Sequence, residues 1–353
     1  MRIFSNQLIY TPQSTPTEPP IPSEYEVYRI NTDSTNYLGT ITDLSKTFSC
    51  GDNCNESVNT YVYDGTWYYL NDSSQPVTRD NGTNIISATG GSKGSNSYSG
   101  AVVNSSNEVY ATSGDSITTR VSTMGVMVSG SASSSSQFYT LLTNGKIWGY
   151  DGSGSFSVVT NITGWSKITG SKSGTTSSPS RFGYGLNEGK LYYLTPYSEG
   201  TIQIGTDTTW TDITGGYEGS NTYGYGINNG KLYALNSNPV TQVGSDTTWT
   251  KISGYSKVGS GMFAQPAYAL GISAGKLYSL NGTTATQIGT SSDWKGCGGF
   301  YTNSARALAY DSTALYYITS SGATKLLDGR FVYCGGNYQT TGNTCAIAIK
   351  VKE

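Results

Sequence analysis

The sequence predicts an all-β chain folded as a β-propeller, a closed ring of about eight four-stranded antiparallel blades. Three observations predict it. A unit of about 40 residues recurs along the chain, its apolar runs are separated by turn-forming residues, and each end of the chain carries the part of a unit that the other lacks.

The clearest unit runs Tyr223-Gly-Tyr-Gly-Ile227, Asn228-Asn229-Gly230, Lys231-Leu-Tyr-Ala-Leu235, Thr241-Gln-Val-Gly244 and Trp249-Thr-Lys-Ile-Ser-Gly254, with copies over 182–215 and 268–298 and a looser one from Phe138. The first run alternates large and small groups, as a strand does. Asn229-Gly230 supplies residues that accept positive φ in a hairpin turn, as do Asp64-Gly65, Asn144-Gly145, Glu188-Gly189 and Ala274-Gly275. The Lys-Leu-Tyr run returns as a second strand, Gln-Val-Gly makes a third and Trp-x-x-Ile a fourth. The aromatic after the turn marks the units: Tyr28, Tyr68, Tyr110, Trp148, Tyr192, Tyr233, Tyr278 and Tyr316. Degenerate copies over 85–130 leave a seven-bladed count open. Solenoid helices are excluded, because a 3.6-residue periodicity is absent.

The ends predict closure. Ala346-Ile-Ala-Ile349 matches the first strand of a unit, but the chain stops at Glu353. The rest of that unit stands at the other end, in Tyr25-Glu-Val-Tyr28 and Tyr37-Leu-Gly39. One blade shared between the termini would seal the ring and remove open sheet edges.

Composition agrees. Of 353 residues 45 are Gly and 29 Tyr, which suits short strands and tight turns rather than helices. The net charge is -2, with 21 basic residues scattered among 23 acidic ones. Nucleic-acid binding, which needs clustered cations, is not expected. Membrane insertion is not expected either, since no run approaches the ~18 apolar residues of a spanning helix. The N-terminus lacks the apolar stretch of a secretory signal, so the expectation is a protein made in a host cytoplasm that stays there or joins a larger particle. The cysteines do not form a disulfide framework.

Two regions are expected: an arm over 1–24 and the propeller over 25–353. The arm begins with an apolar decapeptide carrying Ile3, Phe4, Leu8, Ile9 and Tyr10, followed by Pro12, Pro16, Pro19, Pro20 and Pro22. The proline stretch should be extended and semi-rigid. The decapeptide reads either as an anchor for a partner's sheet or groove, or as a free or folded-back end.

The pattern Tyr-Ala-Leu…Gly-Lys-Leu-Tyr-x-Leu, then Gln-Ile-Gly and Trp-x-x-Ile-x-Gly, resembles the repeats of two propeller families. One is the regulator-of-chromosome-condensation family and the other the glycan-binding tectonin or tachylectin-like family. The resemblance covers about residues 25–353 and implies the fold. The shorter period and the Trp-x-x-Ile-x-Gly element lean toward the tectonin side, and nucleotide exchange is discounted because the chain has no His, which the chromosome-condensation repeats usually carry, and no basic face.

Chemistry-bearing candidates are few. Without His, Ser-His-Asp, Cys-His and His-bearing zinc sites are excluded. No P-loop is present, and neither cofactor nor metal is implied. Asp207, Asp246 and Asp293, just before Trp210, Trp249 and Trp294, resemble the aspartate-box turns of sialidases with different spacing; the alternative is that they are turn formers. Trp165, Trp210, Trp249 and Trp294 recur at one repeat position and are the candidate ligand-binding residues, as stacking platforms for sugar rings; the competing reading packs them between blades. Cys50, Cys297 and Cys334 align with Ile168, Ile213 and Ile252 as small core groups. Asp52-Asn53-Cys54-Asn55-Glu56 is a poor match to a calcium loop.

The expected function is therefore non-enzymatic: a structural and recognition protein of a bacteriophage virion, a head-decoration or tail-associated component. Its arm would hold it to other virion proteins while the propeller meets host-surface glycan. The alternatives are a soluble tectonin-like lectin and, third, a carboxylate-dependent glycosidase or lyase.

Overall fold

The structure is a computed structural model. It describes residues 23–30, 34–49, 60–70, 76–78, 83–89, 100–113, 116–129, 137–151, 156–170, 183–194, 201–218, 221–235, 239–254, 269–298, 307–319, 322–337 and 345–353. The decapeptide and proline stretch, the Asp52–Glu56 segment and Cys50 lie outside these residues.

Eight four-stranded antiparallel sheets form the ring, which settles the blade count at eight. In chain order the first seven blades span 48–78, 85–122, 125–160, 165–203, 210–242, 249–287 and 296–328, and the eighth is shared between the ends. In the fourth blade the strands run from the axis outward as β15 (Trp165–Gly170), β16 (Gly183–Asn187), β17 (Lys190–Leu194) and β18 (Ile202–Gln203). The eighth blade reads β31 (Phe331–Asn337), β32 (Cys345–Val351), β1 (Tyr25–Ile30) and β2 (Thr35–Ile41).

The seal is a six-residue antiparallel pairing of β1 with β32, from Tyr25 opposite Val351 to Ile30 opposite Ala346. Two ion pairs lie along it, Glu26 with Lys350 at 3.0 Å and Glu24 with Lys352 at 2.5 Å. The first and last strands thus bond as neighbours, and the ring has no open edge at the junction.

Apolar clusters fill the layers between blades, one of them running through both faces of the first blade. Between the fifth and sixth blades, Tyr225, Ile227, Leu232 and Val243 meet Trp249, Ile252 and Leu280, all buried. Between the sixth and seventh, Leu270, Ile272, Leu277 and Ile288 meet Trp294, Cys297 and Ile318. The repeat therefore encodes half of two interfaces in every unit, and only stacking of neighbours completes them.

On five inner strands the residue after the one in line with the marker aromatic across the ladder is small and polar: Thr89, Ser129, Thr169, Thr214 and Ser253, all buried. Thr214 Oγ1 donates across to the Gly254 carbonyl at 2.5 Å. Further bonds join neighbouring blades. Lys167 pairs with Asp212 at 2.5 Å, Ser87 Oγ accepts from the Val128 N–H at 3.2 Å, and the Tyr333 hydroxyl meets the Ser49 N–H at 3.0 Å.

Register corrects the alignment of Cys50. Ile168 stands opposite Gly185, Cys297 opposite Ala309 and Cys334 opposite Ala348, each paired in turn with the marker tyrosine of its blade. In the first blade the residue at that level is Ser49, opposite Tyr61, which pairs with Tyr68. Cys50 comes one residue later. Glycines following the strands drew the sequence alignment one step out of register, whereas the ladder fixes it.

Candidate functional site

Antiparallel succession sorts the connections onto two faces. The turns between second and third strands, and the passages from one blade's outer strand to the next blade's inner strand, share one face. That face is tied into a belt by backbone hydrogen bonds. At five turns a carbonyl accepts from the start of the next inner strand: Gly65 from Ile85 at 2.7 Å, Asn107 from Gly125 at 2.8 Å, Gly189 from Trp210, Gly230 from Trp249 (both 2.9 Å) and Gly275 from Trp294 at 2.8 Å. At Gly230 two features favour glycine. Gly230 has φ +74, and a Cβ there would sit 2.3 Å from the Thr247 carbonyl oxygen. On the opposite face the inner and second strands end at pairs such as Gly170 and Gly183, Ser253 and Ala269, and Asn337 and Cys345. In sequence the segments between these pairs are Ser-, Gly- and Thr-rich, and they lie outside the described residues.

Both ends of the propeller strands shared by the eighth blade, at Glu24 and Lys352, lie on the belted face. Tyr25 and Val351 are partners at that end of the eighth blade, and Lys352 N–H donates to the Glu24 carbonyl at 3.2 Å.

The four repeated tryptophans are not brought together, and none is open to solvent: Trp165, Trp210, Trp249 and Trp294 are 3–5% exposed. Each ring lies across its own blade and over a small residue of the second strand. A Cβ on Gly185, Gly226 or Gly271 would come within 2.5–2.7 Å of Trp165, Trp210 or Trp249. Beyond it sits the marker tyrosine: Trp165–Tyr192 at 5.1 Å, Trp210–Tyr233 at 5.3 Å, Trp249–Tyr278 at 5.1 Å and Trp294–Tyr316 at 5.0 Å between centroids. Rings covered on both sides offer no face to a sugar, so these residues act here in interblade packing.

Asp207, Asp246 and Asp293 all lie on the belted face. Asp207 accepts from Asn228 Nδ2 at 2.8 Å. Asp293 accepts from the backbone N–H (3.2 Å) and the hydroxyl of Ser312, and pairs with Lys295 at 2.6 Å. The Lys295 ammonium and these Ser312 bonds hold the Asp293 carboxyl down to about 2. Asp246 raises the Tyr278 phenol beside it, after the larger effect of burial. The three are dispersed over separate blades.

The surface feature that sequence reading missed stands at the closure seam. Tyr37 of β2 is 55% exposed, more than any other large apolar side chain among the described residues. It faces Tyr28 across the β1–β2 ladder, with ring centroids 5.6 Å apart and planes tilted 58°. The Tyr28 hydroxyl donates to Glu26 at 3.0 Å, and Lys350 Nζ lies 5.9 Å over the Tyr28 ring. The Lys350 bond lowers the Glu26 carboxyl against the opposing effect of burial. Burial and then Glu26 raise the Tyr28 phenol. Across the seam, half-buried Leu326 and Leu327 of β30 (Gly322–Asp328) pack with Tyr28 against Leu308, Leu315, Phe331 and Ala348. The exposed Tyr37 ring thus stands beside Tyr28, with the Glu26–Lys350 pair two residues along the same face of the sheet. Its sequence signal is that Tyr37, unlike the outer-strand residue opposite the marker aromatic in the other units, is itself aromatic.

No family model and no curated protein matches the chain. Solved structures do. The computationally designed Ika8 protein is similar at a TM-score of 0.50 with 10% identity, covering 87% of this chain and 97% of its own. BamB from Moraxella catarrhalis gives 0.41 with 11% identity over 93% and 91%. The N-terminal domain of Nup159 gives 0.35 with 9% identity over 71% and 86%. The likeness is one of fold.

Proposed function

We propose that this chain is a non-enzymatic structural and recognition protein, a propeller attached through its N-terminal arm to a larger particle. The particle is a bacteriophage virion, and the face turned away from the arm meets host-surface glycan. The observation that carries the reading is the exit of the chain at Glu24, on the belted face. An arm leaving there, and gripping a neighbour with Ile3, Phe4, Leu8, Ile9 and Tyr10, seats the stitched face toward the support. The face with the longer Ser/Gly/Thr-rich connections then points outward, where recognition loops belong. The tectonin-like repeat pattern supports the glycan part, and the apolar decapeptide on a proline spacer supports attachment.

Purified particles test it. The chain should copurify with them, and deletion of residues 1–22 should release a folded propeller into the soluble fraction. A protein found free in the cytoplasm, and indifferent to that deletion, overturns the proposal. The soluble-lectin reading draws support from Tyr37, whose open ring suits a sugar's apolar face. In that case glycan binding survives the deletion.

A further inference from the structure

We infer that the Tyr37 ring is the stacking platform of a binding subsite for a neutral pyranose sugar. The inference rests on the glycan-recognition part of the proposed function and gives it a place and a chemistry. Three observations carry it. The first is the open ring. Tyr37 is 55% exposed, whereas Trp165, Trp210, Trp249 and Trp294 are covered on both sides. Tyr28 flanks it, 5.6 Å away between centroids, so the ring is supported and still open. The C–H face of a pyranose is apolar and stacks on such a ring, while its hydroxyls need polar partners at the edge.

The second observation is that those partners are at hand. The Tyr37 hydroxyl hydrogen-bonds with that of Thr40 at 2.9 Å. From the first blade, Tyr63 brings its hydroxyl over Gly39, where a Cβ would overlap it. The matching glycines of three other units, Gly205, Gly244 and Gly289, have open space at that point. Of these four units, only the one at the seam sets a phenol against its outer strand. Burial, then Asp64 and Tyr37, raise the Tyr63 phenol, and Tyr37 acts on the Lys352 ammonium after the larger effect of Glu24. A few convergent polar groups beside an apolar platform are the usual means of orienting a small ligand.

The third observation, charge and size, selects the ligand. Glu26 pairs with Lys350 at 3.0 Å and Glu24 with Lys352 at 2.5 Å. Each ammonium already has a carboxylate, so an acidic sugar gains nothing there over a neutral one. The other exposed large apolar side chains among the described residues are Met124, Val158, Ile162 and Ile202. They belong to the third and fourth blades and the passages leading to them. Tyr37 therefore stands as a single open ring. A stable protein partner covers ~800 Å² per side, far more than one ring offers. One face of a pyranose matches it.

Saturation-transfer NMR with methyl β-galactopyranoside, whose C–H bonds at carbons three, four and five share one face, tests this in the full chain. Transfer from the parent should be strongest to those protons. Tyr37→Ala should weaken binding at least about tenfold, and Tyr37→Phe, which keeps the ring, should retain it. Urea midpoints of both variants should match the parent, because the side chain is exposed on an outer strand. The corresponding galacturonide should bind no tighter than the neutral glycoside. Equal signals from parent and Tyr37→Ala, or tighter binding of the acidic sugar, overturn the inference. A glycan array probed with the same two chains separates its failure from that of the reading beneath it. A neutral array glycan that the parent holds and Tyr37→Ala loses upholds the subsite. One held equally by both overturns the subsite and leaves glycan recognition standing. An array on which the parent holds nothing overturns both.

Discussion

The Tyr184 hydroxyl donates to the Leu235 carbonyl of the next blade at 2.7 Å, whereas Tyr139, at the same level one blade earlier, is fully buried with its hydroxyl unpartnered among the described residues. The same side chain at the same repeat position is thus satisfied in one interface and not in the next. A buried hydroxyl without a partner bears a desolvation penalty of about 1–3 kcal/mol, while a made bond contributes about 1 kcal/mol. Tyr184→Phe should therefore destabilise by about 1 kcal/mol or more, because it also strands the Leu235 carbonyl. Tyr139→Phe should be neutral or stabilising. Urea midpoints of the two variants, compared with the parent, decide it; equal losses would mean that Tyr139 has a partner.

The belt on the turn face separates two penalties that glycine avoids. Gly244 has φ +66 with open space where a Cβ would stand, while Gly230 has φ +74 and the Thr247 carbonyl in that space. Gly244→Ala should cost about 1–2 kcal/mol, the left-handed penalty alone. Gly230→Ala should cost more, by about 1–3 kcal/mol, because backbone must move. Equal destabilisation in guanidinium would show that the belt yields freely at the turn.

The repeat was legible because a propeller writes its period into every unit: the marker from Tyr28 to Tyr316 counts blades, and the partial units at the ends imply the seal. What was not legible depended on neighbours in space. Recurrence of Trp165, Trp210, Trp249 and Trp294 shows equivalence but not exposure. The deciding signal was the glycine across the ladder at Gly185, Gly226 and Gly271, small so that a ring could lie on it. Cys50 was misplaced because sequence spacing cannot see which residue stands opposite Tyr61. Tyr37 was overlooked because a ring's exposure on an outer strand depends on the adjacent blade, and that blade is the other end of the chain.

Burial of the tryptophans carries its own expectation. Trp210→Ala should cost about 3–5 kcal/mol through the cavity left against Gly226, Leu235 and Tyr233, so any loss of ligand binding should track loss of folded protein. Trp165→Phe should cost more than Trp210→Phe. The Trp165 indole N–H donates to the Ile162 carbonyl at 2.9 Å, and that of Trp210 is unpartnered among the described residues. Circular dichroism melts of the three variants check both statements.

The seam should respond to acid through Glu26. Its carboxyl is lowered in the folded ring, chiefly by the Lys350 bond. A carboxylate depressed by folding contributes stability above its unfolded value, and that contribution disappears as pH falls through the folded one. Glu26→Gln should therefore destabilise the ring slightly at pH 7 and the gap should close in strong acid, below the folded value. The pair is partly exposed, so the effect at pH 7 should be at most about 1 kcal/mol and should shrink in high salt. Urea midpoints of parent and variant at both pH values measure it. A gap that persists in strong acid would show that Glu26 acts through packing with Tyr28 rather than through its charge.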